Sequence, residues 1–294
     1  MNGEADSSRS RGGESGAGVD LVPIDGGDEV CAGREVPVDR ADTDTDTDTD
    51  TDAGAFGDVT DRRLDALLDE DRRSSLQYAA ASALRWRVRI ADLHTILDNL
   101  GDILARTGLE TRVDRERIAV VGHSWGAQTA GAVLGARVLD ADGVPGEDFS
   151  HSAVPAGALI AATGTGDTLT PFAAENLPFM KPDFSTMATP GLVIAGGKDQ
   201  SQLSTRGPEW FTDAYHFSPA PKSLLTIAEA EHTMGGIAGE RVAETTDEDP
   251  ARVVLVADAV SAYLRAALGL DDTEWTALGS IAEDGDGTWS IASK

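Results

Sequence analysis

The stretch Ile118-Ala119-Val120-Val121-Gly122-His123-Ser124-Trp125-Gly126 decides the reading of this chain. An apolar run of strand character leads into a G-x-S-x-G sequence, and the small-residue run from Ala127 to Leu139 behind it has helical character. In that context the serine is delivered by a strand to a sharp turn and followed at once by a helix. Gly122 and Gly126 remove the Cβ atoms that would block the close approach of strand, turn and helix. Ser124 is expected to be exposed and strained. The first amides of the helix, with the positive end of its dipole, lie beside the hydroxyl, where negative charge is stabilised.

A serine hydroxyl is a poor nucleophile until a base takes its proton, and the base is commonly a histidine oriented by a carboxylate. Downstream of the elbow the chain reads as short apolar strands separated by helices or loops, at 158–162, 192–195 and 223–227, with an amphipathic helix over 251–268 that opens at Pro250 and stops before Gly269. Continuous apolar strands in such alternation imply an α/β fold, a mostly parallel sheet with helices on both faces. Parallel strands bring their C-terminal ends to one edge. Asp199, in Gly196-Gly197-Lys198-Asp199 after one strand, and His232, in Glu231-His232-Thr233 after the next, are therefore expected to meet Ser124 there. Asp167, after the preceding strand, is a rival acid. His94, His151 and His216 lack a strand-end position, and His123 is the spacer of the elbow.

Upstream, Leu93, Ile96, Leu97, Leu100, Ile103 and Leu104 form one apolar stripe and predict a helix over about 87–106. Leu64, Leu67, Leu68 and Leu76 predict another behind Thr60 or Asp61. Residues 1–58 are of another kind: Gly, Ser, Asp and Arg predominate, and Asp and Thr alternate from Asp42 to Asp52. Such a segment cannot bury enough apolar surface to offset its ordering entropy and is expected to be disordered. The expected organisation is 1–58 disordered, 59–270 a folded domain with a cap-like insertion at about 167–187, and 271–294 an acidic tail.

The chain has 294 residues, with 51 acidic against 24 basic side chains and a formal net charge of −27. A polyanion of this kind repels nucleic acid and anionic membrane surfaces. The excess, spread along the chain, suits concentrated salt, where charge repulsion is screened. The one cysteine, Cys31, excludes an internal disulfide framework and a multi-cysteine metal site. The Asp-Thr tract has none of the glycine-turn organisation of a calcium loop, so no metal is expected. No apolar leader or membrane-length stretch is present, and the expectation is a cytoplasmic protein.

Residues from about Arg85 to Leu268 resemble the α/β-hydrolase superfamily, in its chlorophyllase and dienelactone-hydrolase-like branch, which includes relatives of platelet-activating-factor acetylhydrolase. The segments 92–98, 117–126, 195–200 and 230–232 carry the resemblance. It implies hydrolysis of a small-molecule ester through an acyl-enzyme without a cofactor. Ser124 would be the nucleophile, His232 the general base, Asp199 its orienting acid and the Trp125 N–H one oxyanion donor. The family's four strands before the elbow, with a His-Gly turn that supplies a second oxyanion donor, are not found, so the N-terminal strands read as missing or replaced. An elbow strand without its usual neighbour leaves a sheet edge exposed, through which a homo-oligomer would form. The rivals are a catalytically impaired hydrolase-like binding protein, and an amidase or haloperoxidase-like activity on the same scaffold. His123, Phe172, Phe179 and Trp210 are candidates for the substrate pocket, with Phe172 and Phe179 in the apolar span 169–187. The alternative for these aromatics is core packing.

Overall fold

The computed structural model describes residues 85–237 and 246–294. The expectations for 1–58, for the helix of Leu64 to Leu76, for Cys31 and for missing or replaced N-terminal strands lie outside the described residues.

A helix α1 over 85–98 is followed after Asn99 by α2 (Leu100–Thr107), so the predicted apolar stripe is carried by two helical segments rather than one. The elbow strand is β1 (Ala119–His123) and the helix behind it α3 (Trp125–Val133). That helix was expected to run to about 138. It stops early because Gly135 takes φ 105, and the chain turns into β2 (Arg137–Val138). Then come β3 (Ala156–Ile160), α4 (Pro171–Asn176), β4 (Pro182–Asp183) and β5 (Gly191–Gly196). The remaining elements are α5 (Asp213–Phe217), β6 (Lys222–Ile227), α6 (Pro250–Ala267), α7 (Thr273–Asp284) and β7 (Trp289–Ser293).

The main sheet has the order β1-β3-β5-β6-β7, parallel throughout except for β7, which is antiparallel to β6. This is the α/β architecture expected, a mostly parallel sheet with helices packed against it. One transverse row runs His123, Ile160, Ile194, Leu225, Ile291, so the turns after β1, β3, β5 and β6 all leave from the same edge. Every residue of β3 and β5 is buried, which requires cover on both faces. α3 packs on β1 and β3, and α6 on β3 and β5. Each fully buried Leu, Ile or Val in these strands contributes about 1.5–3 kcal/mol through burial. Among the described residues β1 has a sheet partner on one side only.

The expectation of an acidic C-terminal tail is corrected. Residues 273–284 form α7, whose Trp275 meets Tyr263 of α6 edge-on at 5.2 Å, and 289–293 form the edge strand β7 on β6. Trp289 and Ile291 alternate with smaller polar or exposed residues, the pattern of a half-buried edge strand, and acidic neighbours disguised it.

The opposite edge of the sheet holds a buried cation. Lys222, 1% exposed at the start of β6, donates from Nζ to the carbonyls of Met187 (2.8 Å), Thr189 (2.7 Å), Pro219 (3.2 Å) and Pro221 (3.3 Å). Burial, with a smaller contribution from the charge of Lys294, pushes its pKa down to about 8. No helix among the described residues is long and apolar enough to cross a membrane.

Candidate active site

Ser124 lies between β1 and α3 with φ 54 and ψ −115, a left-handed conformation for a residue that has a Cβ. Such a backbone costs about 1–3 kcal/mol and persists only where its surroundings impose it. They do so here. The Ser124 amide donates to the Ile160 carbonyl at 2.9 Å, tying the elbow to the neighbouring strand. The glycine two residues before it is required by contact: a Cβ on Gly122 would lie 2.1 Å from the carbonyl oxygen of Gly126.

Asp199 follows β5 in a turn pinned to the chain after β6. Gly197 N–H donates to Ile227 O at 2.8 Å and Lys198 N–H to Ala230 O at 3.0 Å. A Cβ on Gly196 would stand 2.3 Å from the Ala230 oxygen, so this turn needs glycine to come so close. Asp199 is 0% exposed, and its Oδ2 and Oδ1 lie 3.0 and 3.2 Å from His232 Nδ1. The other ring nitrogen, Nε2, is 2.9 Å from Ser124 Oγ. A carboxylate only accepts, so Nδ1 carries the proton, and Nε2 is left to accept from the serine hydroxyl. The three side chains predicted to meet at one sheet edge are brought together there. The His232 side chain is 41% exposed, so the serine–histidine pair faces an open surface.

The remaining candidates are placed differently. His123 Nε2 lies 2.8 Å from the backbone carbonyl of His232, to which it must donate. Burial lowers its pKa, which favours the neutral ring, and its centroid lies 5.1 Å from that of His232. Phe179, 2% exposed, is stacked on Trp86 at 6.2 Å and tilted against Trp125 at 5.3 Å. Trp210, 0% exposed, donates its indole N–H to the Thr165 carbonyl at 2.9 Å and packs on Phe211. These two are core residues, which corrects the expectation that they wall a pocket. Met180, Phe184 and Met187 of the supposed cap are also buried, and Phe179 of that segment meets Trp86 of α1 and Trp125 of α3. Phe172 is partly buried at the margin of the same core. Phe211, next to Trp210 in the chain, has its ring 5.8 Å from that of His232.

Asp167 is engaged by the Thr165 hydroxyl at 2.6 Å and has no hydrogen bond to His232. His94 reaches the Phe149 carbonyl, and His151 pairs with Asp98. Trp125 opens α3 directly after the serine. Among the described residues no group of three or more His, Cys, Asp or Glu side chains is arranged to hold a metal ion.

Sequence reading also missed two buried carboxylates. Asp213 accepts from the Thr165 amide and hydroxyl and takes both Nη1 (2.8 Å) and Nη2 (3.0 Å) of Arg206, fixing the turn after β3. Asp247 accepts from the turn that carries His232. Asp247 stands in the acidic run 247–249, and for neither residue does composition separate a buried carboxylate from a solvated one.

No protein-family model matches the chain, and no curated protein matches it. Solved structures do. A ferulic acid esterase from Streptomyces cinnamoneus is 18% identical with a TM-score of 0.39, over 63% of this chain and 49% of that one. A puromycin hydrolase is 19% identical with a TM-score of 0.36, over 58% of this chain and 24% of that one. Esterase 2 of Thermogutta terrifontis, in its apo form, is 18% identical with a TM-score of 0.33, over 57% and 61%. The chain thus spans between about a quarter and three fifths of the length of these structures.

Proposed function

We propose that this chain is a serine hydrolase of the α/β-hydrolase superfamily that cleaves small to medium apolar carboxylic esters through an acyl-enzyme. The observation that carries the reading is the continuous relay Ser124 Oγ–His232 Nε2–His232 Nδ1–Asp199, with 2.9 Å and 3.0 Å links, on a serine held at φ 54. Within the superfamily, the segments 117–126, 195–200 and 230–232 support the chlorophyllase and dienelactone-hydrolase-like branch.

In this reading Ser124 Oγ attacks the ester carbonyl carbon while His232 Nε2 takes the hydroxyl proton. The tetrahedral oxyanion forms at the N-terminus of α3, where the Trp125 amide and the helix dipole favour negative charge. Collapse of the intermediate expels the alcohol, which leaves with the proton from Nε2. Water then attacks the acyl carbon, giving its proton to the same nitrogen, and the acid is released as Ser124 recovers its proton. Asp199 stays ionised throughout, holding the Nδ1–H tautomer and stabilising the imidazolium. The 41% exposure of the His232 side chain suits an enzyme with broad tolerance at the alcohol side.

The test is p-nitrophenyl butyrate hydrolysis by the full chain, in low and in molar salt, beside Ser124→Ala, with circular dichroism on both. Turnover that disappears in the variant supports the reading. A folded wild-type chain without turnover in either salt condition overturns it.

A further inference from the structure

The His232 side chain is 41% exposed, with its ring 5.1 Å from that of His123 and 5.8 Å from that of Phe211. Its orientation therefore depends on the backbone that presents it. That backbone is unusual: Met234 has φ 51, Gly235 φ 86 and Gly236 φ 111, three left-handed residues in succession. A chain does not keep such a path unaided.

Beyond the turn's own backbone bonds and His123 on the His232 carbonyl, the support comes from one carboxylate. Asp247, with a side chain 5% exposed, accepts the Glu231 amide at 2.8 Å and the Gly235 amide at 3.1 Å on Oδ2, and the Thr233 hydroxyl at 3.0 Å on Oδ1. The donors flank His232 on both sides in sequence. Arg252 closes the group, 3.1 Å from Oδ2. Resting on the reading of Ser124 as nucleophile, we propose that Asp247 is a positioning residue that fixes the 231–235 turn and thereby aims His232 at Ser124.

Two simpler roles are already filled by another residue. The N-terminus of α6 is capped by Asp249, which accepts the Ala251 amide at 3.0 Å, so Asp247 is not needed as a cap. Arg252 is paired with Asp249 as well, at 3.2 Å, so its charge is not left bare when Asp247 is removed. What Asp247 alone supplies is an acceptor for the amides and hydroxyl of the histidine turn. Burial opposes its ionisation, yet the Glu231, Thr233 and Gly235 donors and the Arg252 charge outweigh that and hold its carboxyl below the usual carboxylate range. Bonds to an ionised acceptor are roughly twice as strong as neutral ones, which suits one group holding a left-handed turn.

The experiment uses the full chain with Asp247→Ala and Thr233→Val. It reads steady-state hydrolysis of p-nitrophenyl butyrate, the melting temperature, and the far-downfield proton resonance of His232 Nδ1–H, assigned by its loss in Asp199→Asn. A displacement on the order of 1 Å between base and nucleophile costs about 10²-fold, so kcat should fall by that order in Asp247→Ala with KM unchanged. The resonance should broaden or vanish, and Thr233→Val, which removes one bond and no charge, should lower kcat by less. A folded Asp247→Ala chain with wild-type kcat and an intact resonance overturns the proposal. If that variant does not fold, unchanged kcat in Thr233→Val overturns it. Should wild type show no Ser124-dependent turnover, the esterase reading fails separately, and the resonance alone then decides on Asp247: persistence in the alanine variant refutes it, loss supports it.

Discussion

Adding one methyl group at Gly122 tests the elbow most directly, because the obstacle is backbone and cannot rotate away. The new Cβ would lie 2.1 Å from Gly126 O, 2.2 Å from Gly126 C and 2.6 Å from Ala127 N, where Cβ atoms essentially never come closer than 3.0 Å. Strand β1 and the first turn of α3 must therefore part by about 1 Å, and that is the join at which Ser124 sits. Overpacking of this kind costs about 1–3 kcal/mol. At roughly 2–4 °C per kcal/mol for a domain of this size, the melting temperature should drop by roughly 2–12 °C. The same displacement carries Oγ away from His232 Nε2, so kcat on p-nitrophenyl butyrate should fall about 10²-fold. Gly131→Ala, in the same helix, is the control. Its Cβ would meet Leu159 Cδ1 at 3.7 Å, an ordinary contact, and alanine favours the helix by up to about 1 kcal/mol. That variant should match or exceed wild-type stability with full activity. A Gly122→Ala chain with wild-type kcat and melting temperature would refute the argument that close packing at residue 122 shapes the elbow.

His123→Leu should leave the His232 carbonyl without its donor, at a cost of about 1–3 kcal/mol, and lower kcat, whereas His123→Gln, which keeps an N–H at similar reach, should restore most of it. Equal activity in both variants would remove His123 from the support of the loop. Lys222→Met should lower stability in urea titration by about 1–3 kcal/mol or more, since four carbonyls lose a common donor. It should spare kcat in the folded fraction, because Lys222 lies at the sheet edge opposite the serine. For acid stability the sign follows from depressed carboxyl values. Asp148, held low by the Ser150 amide and hydroxyl and by Arg137, and Asp247 contribute fully above the unfolded carboxylate pKa near about 3.9 and lose that contribution as pH falls through their lower folded values. Melting curves below about pH 4 should therefore steepen in wild type and flatten in Asp247→Asn; identical slopes would count against the ionised Asp247.

The elbow and its two partners were legible because each depends on local, directional features. An apolar run, glycines at fixed spacing and a polar residue just past a strand end are all written within a few residues of one another. The edge to which Ser124, Asp199 and His232 converge then follows from parallel pairing. The aromatics resisted reading for the opposite reason. Phe179 lies just before β4 and Trp210 in the connection between β5 and β6, and whether such residues face solvent or core depends on what packs behind them. For Phe179 that is Trp86 of α1, over ninety residues earlier in the chain. The C-terminal strand was missed because Trp289-Ser290-Ile291-Ala292-Ser293 is short and follows an acidic run, and its pairing partner β6 is fixed only by the three-dimensional sheet. The early end of α3 was in principle readable at Gly135, whose φ of 105 is open to glycine and rare for other residues.

Acidity itself hides part of the machinery. The chain carries 51 acidic residues and a net charge of −27, and as a source of solvated charge one carboxylate can replace another. Asp199, Asp213 and Asp247 cannot be exchanged so freely, because each is buried against specific donors: an imidazole, a bidentate guanidinium with a threonine, and two amides with a hydroxyl. The difference lies in partner geometry, which neither composition nor periodicity carries. A buried carboxylate without donors is costly, so an aspartate that folding takes out of water marks a place where the backbone must be held. In this chain two such places are the turns bearing Asp213's Thr165 and Asp247's His232, both at the edge where the serine stands. His232 is thus aimed from three directions: by Asp199 through its ring, by His123 through its carbonyl, and by Asp247 through the amides on either side.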